Sequence, residues 1–176
     1  MRVVLAHGAS GNAASMRPWV DGLAARGFEA IAIDLPVRKA EDAVGAYRGA
    51  AHPDRGTVIG GHSYGGRVAS LLAADAGSTV GGLILLSYPL HRPGQPDWEV
   101  RSAHWPQLRC PVLVLSGESD QFARVDLLRR ALAERLPEAQ LVTWPRLGHG
   151  LLPVKDEALE RVAAFLERLP APAQAT

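Results

Sequence analysis

The chain has 176 residues, of which 47% are hydrophobic and 21% are charged. This length and composition are typical of one globular domain and exclude an intrinsically disordered chain. Nineteen Lys and Arg residues nearly balance eighteen Asp and Glu residues, and no basic run stands out, so we expect no nucleic-acid partner.

Cysteine content and apolar runs exclude two further classes of protein. The only cysteine, Cys110, cannot form an internal disulfide or a cysteine-based zinc site. No apolar stretch reaches the roughly 18 residues that a membrane helix needs. The apolar run Val3–Ala6 is too short for the core of a signal peptide. We therefore expect a cytoplasmic protein without a membrane partner.

Short apolar runs alternate with helical patterns along the chain. The runs are mostly continuous, which is typical of parallel strands that are buried on both faces of a sheet. The predicted strands are Arg2–Ala6, Glu29–Asp34, Thr57–Gly61, Val80–Ser87, Val112–Ser116 and Gln140–Trp144. The predicted helices are Ala13–Arg26, Glu41–Ala51, Gly65–Ala76, Val125–Leu136 and Asp156–Leu169.

This alternation predicts an α/β fold, a three-layer sandwich in which a six-stranded, mostly parallel sheet carries helices on both faces. The domain is expected to span residues 1–169, and residues 170–176 are expected to form a flexible tail. Tyr88–Gln107 is the one long irregular stretch, and a loop of this length in a compact domain is usually functional or a lid.

The sharpest motif is GHSYG at residues 61–65, which fits the pattern G-x-S-x-G. A predicted strand precedes it and a predicted helix follows it, which is the setting of a nucleophile elbow. Glycines at 61 and 65 allow the strand and the helix to pack closely at the sharp turn. The bare pattern also occurs in glycine-rich turns without catalysis, but this setting predicts that Ser63 is a nucleophile.

A serine nucleophile needs a base, and the base needs an acid that orients it. The segment LGHG places His149 between the last predicted strand and the last helix, at the same sheet edge as Ser63. The segment GESD follows the fifth strand and supplies Asp120 as the expected acid. Glu118, two residues nearer the strand, is its rival. The chain order serine, acid, histidine is the order found with nucleophile elbows.

Backbone amides near Ser63 are expected to bind the negative charge of a tetrahedral intermediate. Tyr64, directly after the nucleophile, supplies the first donor. The second comes from the loop HGASG at 7–11, where Ala9 is the expected donor and Ser10 is an alternative. This loop matches neither common nucleotide-binding glycine pattern, so no nucleotide is expected here.

The motifs HGASGN, GHSYGG, GESD and LGHG, in this order, resemble those of the α/β-hydrolase superfamily over nearly the whole chain. The resemblance implies the strand order 2-1-3-4-5-6, without the two extra N-terminal strands of larger members and without a cap domain. The segment SYPLHRPGQP at 87–96 resembles the small dienelactone-hydrolase-like subgroup that includes Tex30 and the KANSL3 hydrolase-like domain. Dienelactone hydrolases proper use a cysteine where this chain has Ser63, so the likeness concerns fold and not substrate.

These residues predict a serine hydrolase that cleaves a small-molecule carboxylic ester or thioester through an acyl-enzyme, without a metal or an organic cofactor. An acyltransferase or a peptidase would use the same triad, and a non-catalytic interaction module would keep the same fold. We expect a monomer or a homodimer, the latter through the exposed edge strand Glu29–Asp34. An open substrate pocket is expected to be lined by Ser10, Tyr88, Leu90, His91, Trp98 and Phe122.

Overall fold

A computed structural model of the chain describes residues 1–170 and contains one sheet in which every strand runs parallel to its neighbours. The strand order β2-β1-β3-β4-β5-β6 confirms the expected order and leaves β2 and β6 at the edges. The strands are β1 Arg2–Ala6, β2 Glu29–Ile33, β3 Thr57–His62, β4 Gly82–Leu86, β5 Val112–Gly117 and β6 Gln140–Trp144.

Helices cover both faces of this sheet, as the predicted three-layer sandwich requires. One apolar core lies between the sheet and α2, α3 and α5, and a second lies between the opposite face and α1 and α6. The helices are α1 Arg17–Ala24, α2 Ala40–Ala51, α3 Tyr64–Ala74, α4 Trp98–Arg101, α5 Val125–Arg135 and α6 Lys155–Glu167.

The first predicted helix is shorter than expected. In place of one helix over Ala13–Arg26, the chain forms a 3₁₀ turn, Ala13–Met16, followed by α1. Pro18 explains the division, because proline lacks an amide hydrogen and fits only in the first turn of an α-helix.

The stretch predicted as irregular, Tyr88–Gln107, contains helix α4 and a 3₁₀ turn, Trp105–Gln107. Trp98 and Trp105 are buried and anchor these turns against the core beside α3 and α5. Local sequence patterns do not reveal such anchoring, because it depends on contacts with distant residues.

The predicted tail over 170–176 lies, apart from Pro170, outside the described residues. Within residues 1–170, none of the helices combines the length and the apolar character needed to cross a bilayer.

Candidate active site

The turn between β3 and α3 holds Ser63 in a strained backbone conformation. Its φ of 49° and ψ of −111° form a combination that residues with a side chain rarely adopt. The Ser63 amide donates a hydrogen bond of 2.8 Å to the carbonyl oxygen of Leu86 on β4, which ties the turn to the neighbouring strand. Ser63 therefore lies at the carboxyl edge of the parallel sheet, where open α/β folds bind ligands.

Glycines on both sides of Ser63 allow β1 to approach α3 closely. A Cβ atom on Gly65 would collide with the backbone carbonyl oxygens of Ala6 and His7. A Cβ atom on Gly61 would collide with the same Ala6 oxygen. The two glycines of the motif thus keep the loop after β1 next to Ser63.

We expect Gly65→Ala to lower the free energy of unfolding by at least about 2 kcal/mol, because the added methyl group must push apart the backbones of β1 and α3. Gly45→Ala on α2 is the matched control, since nothing lies within 4 Å of a Cβ atom there. That change should raise the free energy of unfolding by about 0.5–1 kcal/mol. Urea titration measures both, and similar stabilities of the two variants would contradict the close packing at Gly65.

His149 lies beside Ser63 on the loop after β6. Its Nε2 atom is 2.8 Å from Ser63 Oγ, so the serine hydroxyl donates to the ring. Its Nδ1 atom is 2.8 Å from Asp120 Oδ2, so Nδ1–H donates to the carboxylate. The ring packs against Phe122 at 4.6 Å between centroids, and 23% of the side chain stays exposed. The geometry brings the three predicted catalytic residues into one hydrogen-bonded chain.

Asp120, and not Glu118, is the carboxylate that contacts His149. The Asp120 side chain is fully buried, and its second oxygen accepts the backbone amide of Phe122 at 2.8 Å. Glu118 instead accepts hydrogen bonds from the Thr143 hydroxyl and from Arg129. The rival acid of the sequence analysis is therefore engaged elsewhere.

The two amides predicted to bind an oxyanion border the same cleft as Ser63. Ala9 and Tyr64 both line it. Within residues 1–170, neither amide donates a hydrogen bond to a protein acceptor, so both donors are free for a ligand. Tyr64 is the first residue of α3, where helix geometry leaves backbone N–H groups without partners.

His62, directly before the nucleophile, connects the loop of His149 with the loop after β1. Its Nε2–H donates to the carbonyl oxygen of His149 at 3.1 Å, and the two rings lie 5.1 Å apart. The other side of the ring packs so closely on Gly8 that a Cβ atom there would meet Nδ1 at 2.8 Å. Burial holds the pKa of His62 below its usual value and thus favours the neutral ring, and the hydrogen bond to a carbonyl oxygen places the ring proton on Nε2. The motif GHSYG gave no sign of this role for His62, because the contacts of its ring are with distant loops.

We expect His62→Leu to lower kcat by about tenfold with little change in KM, because the backbone of His149 loses its anchor while the cleft is unaltered. His62→Gln keeps a donor and should recover most of the rate. Steady-state kinetics on a 4-nitrophenyl ester checks this, and equal losses in both variants would show that only the shape of the ring matters.

The cleft beside Ser63 has a volume of ≈ 540 Å³ and is lined differently from the predicted pocket. Of the six predicted lining residues, Phe122 alone contributes to its wall. The predicted lining is corrected for the other five, because four of these side chains are buried and Ser10 is exposed but does not line the cleft. The four buried residues are Tyr88, Leu90, His91 and Trp98.

Hydrogen bonds explain why two of these side chains point inward. The Tyr88 hydroxyl donates to the carbonyl oxygen of Arg101 at 2.6 Å. The His91 ring accepts the amide of Arg124 at 3.0 Å and so holds the loop before α5. Both side chains stabilise the long stretch after β4 instead of facing a ligand.

Cationic side chains in the cleft wall were missed by the sequence analysis. Arg67 follows Ser63 by four residues and lies one helical turn along α3, so its spacing could have indicated a place near the nucleophile. Arg92 and Arg101 gave no such indication, because the path of the stretch after β4 depends on tertiary contacts. Within residues 1–170, no group of three or more His, Cys, Asp or Glu side chains is arranged to hold a metal ion.

Solved structures share this architecture. A monoacylglycerol lipase from Paleococcus ferrophilus superimposes with a TM-score of 0.80 at 15% identity, over 93% of this chain and 93% of the lipase. The esterase Est2 from Thermogutta terrifontis, solved with butyrate bound, gives 0.74 at 22% identity, over 99% and 85% of the two chains. A thioesterase domain from the Curacin biosynthetic pathway gives 0.73 at 15% identity, over 94% and 90%. At these identities, the likeness concerns the fold alone.

A family model identifies the chain more directly. Residues 34–169 match the model described as an alpha/beta hydrolase domain. The match covers most of the chain and includes Ser63, Asp120 and His149. The chain therefore belongs to the alpha/beta hydrolase domain family.

Proposed function

We propose that the protein is a serine hydrolase that cleaves a carboxylic ester or thioester through an acyl-enzyme. The observation that carries the proposal is the hydrogen-bonded chain from Ser63 through His149 to Asp120, with both contacts at 2.8 Å. A buried carboxylate, an imidazole and a hydroxyl in this order form the arrangement that activates a serine. Placement in the dienelactone-hydrolase-like subgroup, with a cytoplasmic location, stays a prediction.

Acylation begins when Ser63 Oγ attacks the substrate carbonyl carbon while His149 Nε2 takes the hydroxyl proton. The Asp120 carboxylate accepts Nδ1–H and stabilises the imidazolium that forms. The carbonyl oxygen becomes an oxyanion, which the amides of Ala9 and Tyr64 bind. When the intermediate collapses, His149 gives its proton to the leaving alcohol or thiol, and the acyl group stays on Ser63.

Deacylation repeats these steps with water. His149 removes a proton from a water molecule that attacks the acyl-enzyme, and the acid leaves as Ser63 regains its proton. The open cleft admits water directly, which favours hydrolysis over transfer to a second acceptor. The machinery requires no metal ion and no organic cofactor.

Covalent labelling tests the proposal without knowledge of the natural substrate. A fluorophosphonate probe should label the folded protein on the peptide that contains Ser63, as mass spectrometry identifies it. A panel of 4-nitrophenyl esters of increasing acyl length should be turned over, with burst kinetics if deacylation is slow. A protein that is neither labelled nor active on any ester would refute the proposal and favour a non-catalytic module.

A further inference from the structure

The cleft beside Ser63 concentrates positive charge. Its wall contains two carboxylates, Glu41 and Asp97, but five cationic side chains: Arg38, Lys39, Arg67, Arg92 and Arg101. The whole chain has a formal net charge of only +1, so this excess is a local property of the cleft. A cleft lined mainly by one sign of charge raises the local concentration of the opposite ion.

Arg67 is only partly neutralised by the protein. Its Nη2 donates to Glu41 at 2.6 Å, and 15% of the side chain is exposed. Its Nη1 is buried and has no hydrogen-bond acceptor within the part of the chain that the structure describes. Because an unpaired buried donor costs free energy, a rotation of the guanidinium that brings Nη1 to the cleft surface and to an acceptor of the ligand would be favoured.

Arg101 carries its charge without a carboxylate partner among residues 1–170. Its Nη1 donates to the backbone carbonyl oxygen of Pro89 at 2.9 Å. Burial, and after it the positive charge of Arg67, lowers the pKa of Arg101. The positive charges of the two guanidinium groups thus repel each other, and an anion bound beside both would offset this repulsion.

We propose that this cleft binds an anionic group of the substrate, a carboxylate or a phosphate, which Arg67 and Arg101 hold while the scissile carbonyl lies at Ser63. The preferred substrates are then anionic esters or thioesters, an inference that rests on the proposed hydrolase function. Guanidinium groups suit this task because their donors match the oxygens of carboxylates and phosphates. A volume of ≈ 540 Å³ holds a short acyl chain together with its anionic group.

Paired substrates that differ only in charge test the proposal. The acid 4-nitrophenyl hydrogen adipate is compared with its methyl ester, each rate being divided by that of hydroxide hydrolysis. We expect kcat/KM to favour the acid by at least about tenfold. Two further probes carry the anion on the leaving group: 4-acetoxybenzoate, with its methyl ester as reference, and 4-acetoxyphenyl phosphate, with its neutral dimethyl ester as reference. They show on which side the anion binds and whether phosphate replaces carboxylate.

Charge-removing variants assign the preference to the cleft. Arg67→Gln and Arg101→Gln should each reduce the acid-to-ester ratio by at least about fivefold. Arg161→Gln on α6 is the control, because that exposed side chain lies on the opposite face of the sheet and its replacement removes the same charge. If Arg67→Gln fails to fold, the exposed Arg92 provides a second test through Arg92→Gln. Added salt should reduce the preference in the unmodified protein.

Binding supplies a readout that does not depend on turnover. Adipate should bind to Ser63→Ala, as measured by calorimetry, and Arg101→Gln in that background should weaken it by at least about fivefold. If all substrate pairs give ratios near one and adipate does not bind at about 10 mM, the anion site is refuted. The hydrolase proposal then still stands on turnover of the neutral esters. Absence of turnover with every ester would instead overturn both.

Discussion

Ser63→Ala should reduce kcat on 4-nitrophenyl esters by a factor of about 10⁵–10⁶, to the level that binding and the free amides provide alone. The variant removes only Oγ, the atom that lies 2.8 Å from His149 Nε2 and has no other protein partner given by the structure. His149 and Asp120 keep their contact, so the base stays in place without a nucleophile to activate.

The folded state should survive this change. Alanine can take the φ of 49° about as well as serine can, and the backbone amide of residue 63 still donates its hydrogen bond to the carbonyl oxygen of Leu86. The melting temperature should therefore stay within a few degrees of that of the unmodified protein, while labelling by the fluorophosphonate disappears. Ser119→Ala, at an exposed position on the loop that carries Asp120, is the matched control and should keep full labelling. Persistent labelling of Ser63→Ala would move the nucleophile to another residue.

Asp120→Asn should lower kcat by about 10³–10⁴-fold. The Phe122 amide donates to one oxygen of Asp120, so the oxygen of an asparagine would take that place. Its NH₂ group would then face Nδ1 of His149, which could accept that bond only by moving its own proton to Nε2. With Nε2 protonated, His149 cannot take the proton of Ser63.

Glu118→Gln is the matched control for this change. The amide oxygen of glutamine can still accept from Thr143 and Arg129, so the turn after β5 should persist. We expect kcat within about twofold of the unmodified protein, because Glu118 does not touch His149 and its partly exposed ion pair contributes at most about 1 kcal/mol. Stopped assays on both variants over a range of pH check the assignment. A large loss in Glu118→Gln with a small one in Asp120→Asn would make Glu118 the acid.

The sequence predicted the structure best for the proposed catalytic residues, which lie in loops directly after strands. Ser63 and Asp120 follow the buried strands β3 and β5, and His149 follows the partly exposed edge strand β6. Parallel strands bring their carboxyl ends to one edge of the sheet. Local pattern and topology together were thus enough to predict that Ser63 and His149 meet a carboxylate from the turn after β5. The distance between Asp120 and Glu118 along the chain is too small for such reasoning to separate them.

The prediction of the pocket-lining residues was wrong because the burial of a side chain depends on tertiary packing. Tyr88, Leu90 and Trp98 look like aromatic and apolar lining residues in a loop, but they pack into the core against α3 and α5. Arginines for which the sequence predicted no role line the cleft beside Ser63. Their position depends on how α2, α3 and the stretch after β4 converge, which no local pattern encodes.

The amino-acid sequence by itself therefore determined the alternation of strands and helices, the proposed nucleophile Ser63 and the proposed base His149, because hydrophobic runs, glycines and short motifs act over short stretches of chain. The strand order followed from the resemblance to the α/β-hydrolase superfamily. The tertiary structure decided that Asp120 and not Glu118 contacts His149, that His62 connects two loops, and that Arg67 and Arg101 face the cleft. Those three outcomes depend on which side chains distant segments bring within hydrogen-bonding or Coulombic reach, and packing of the whole domain sets those distances.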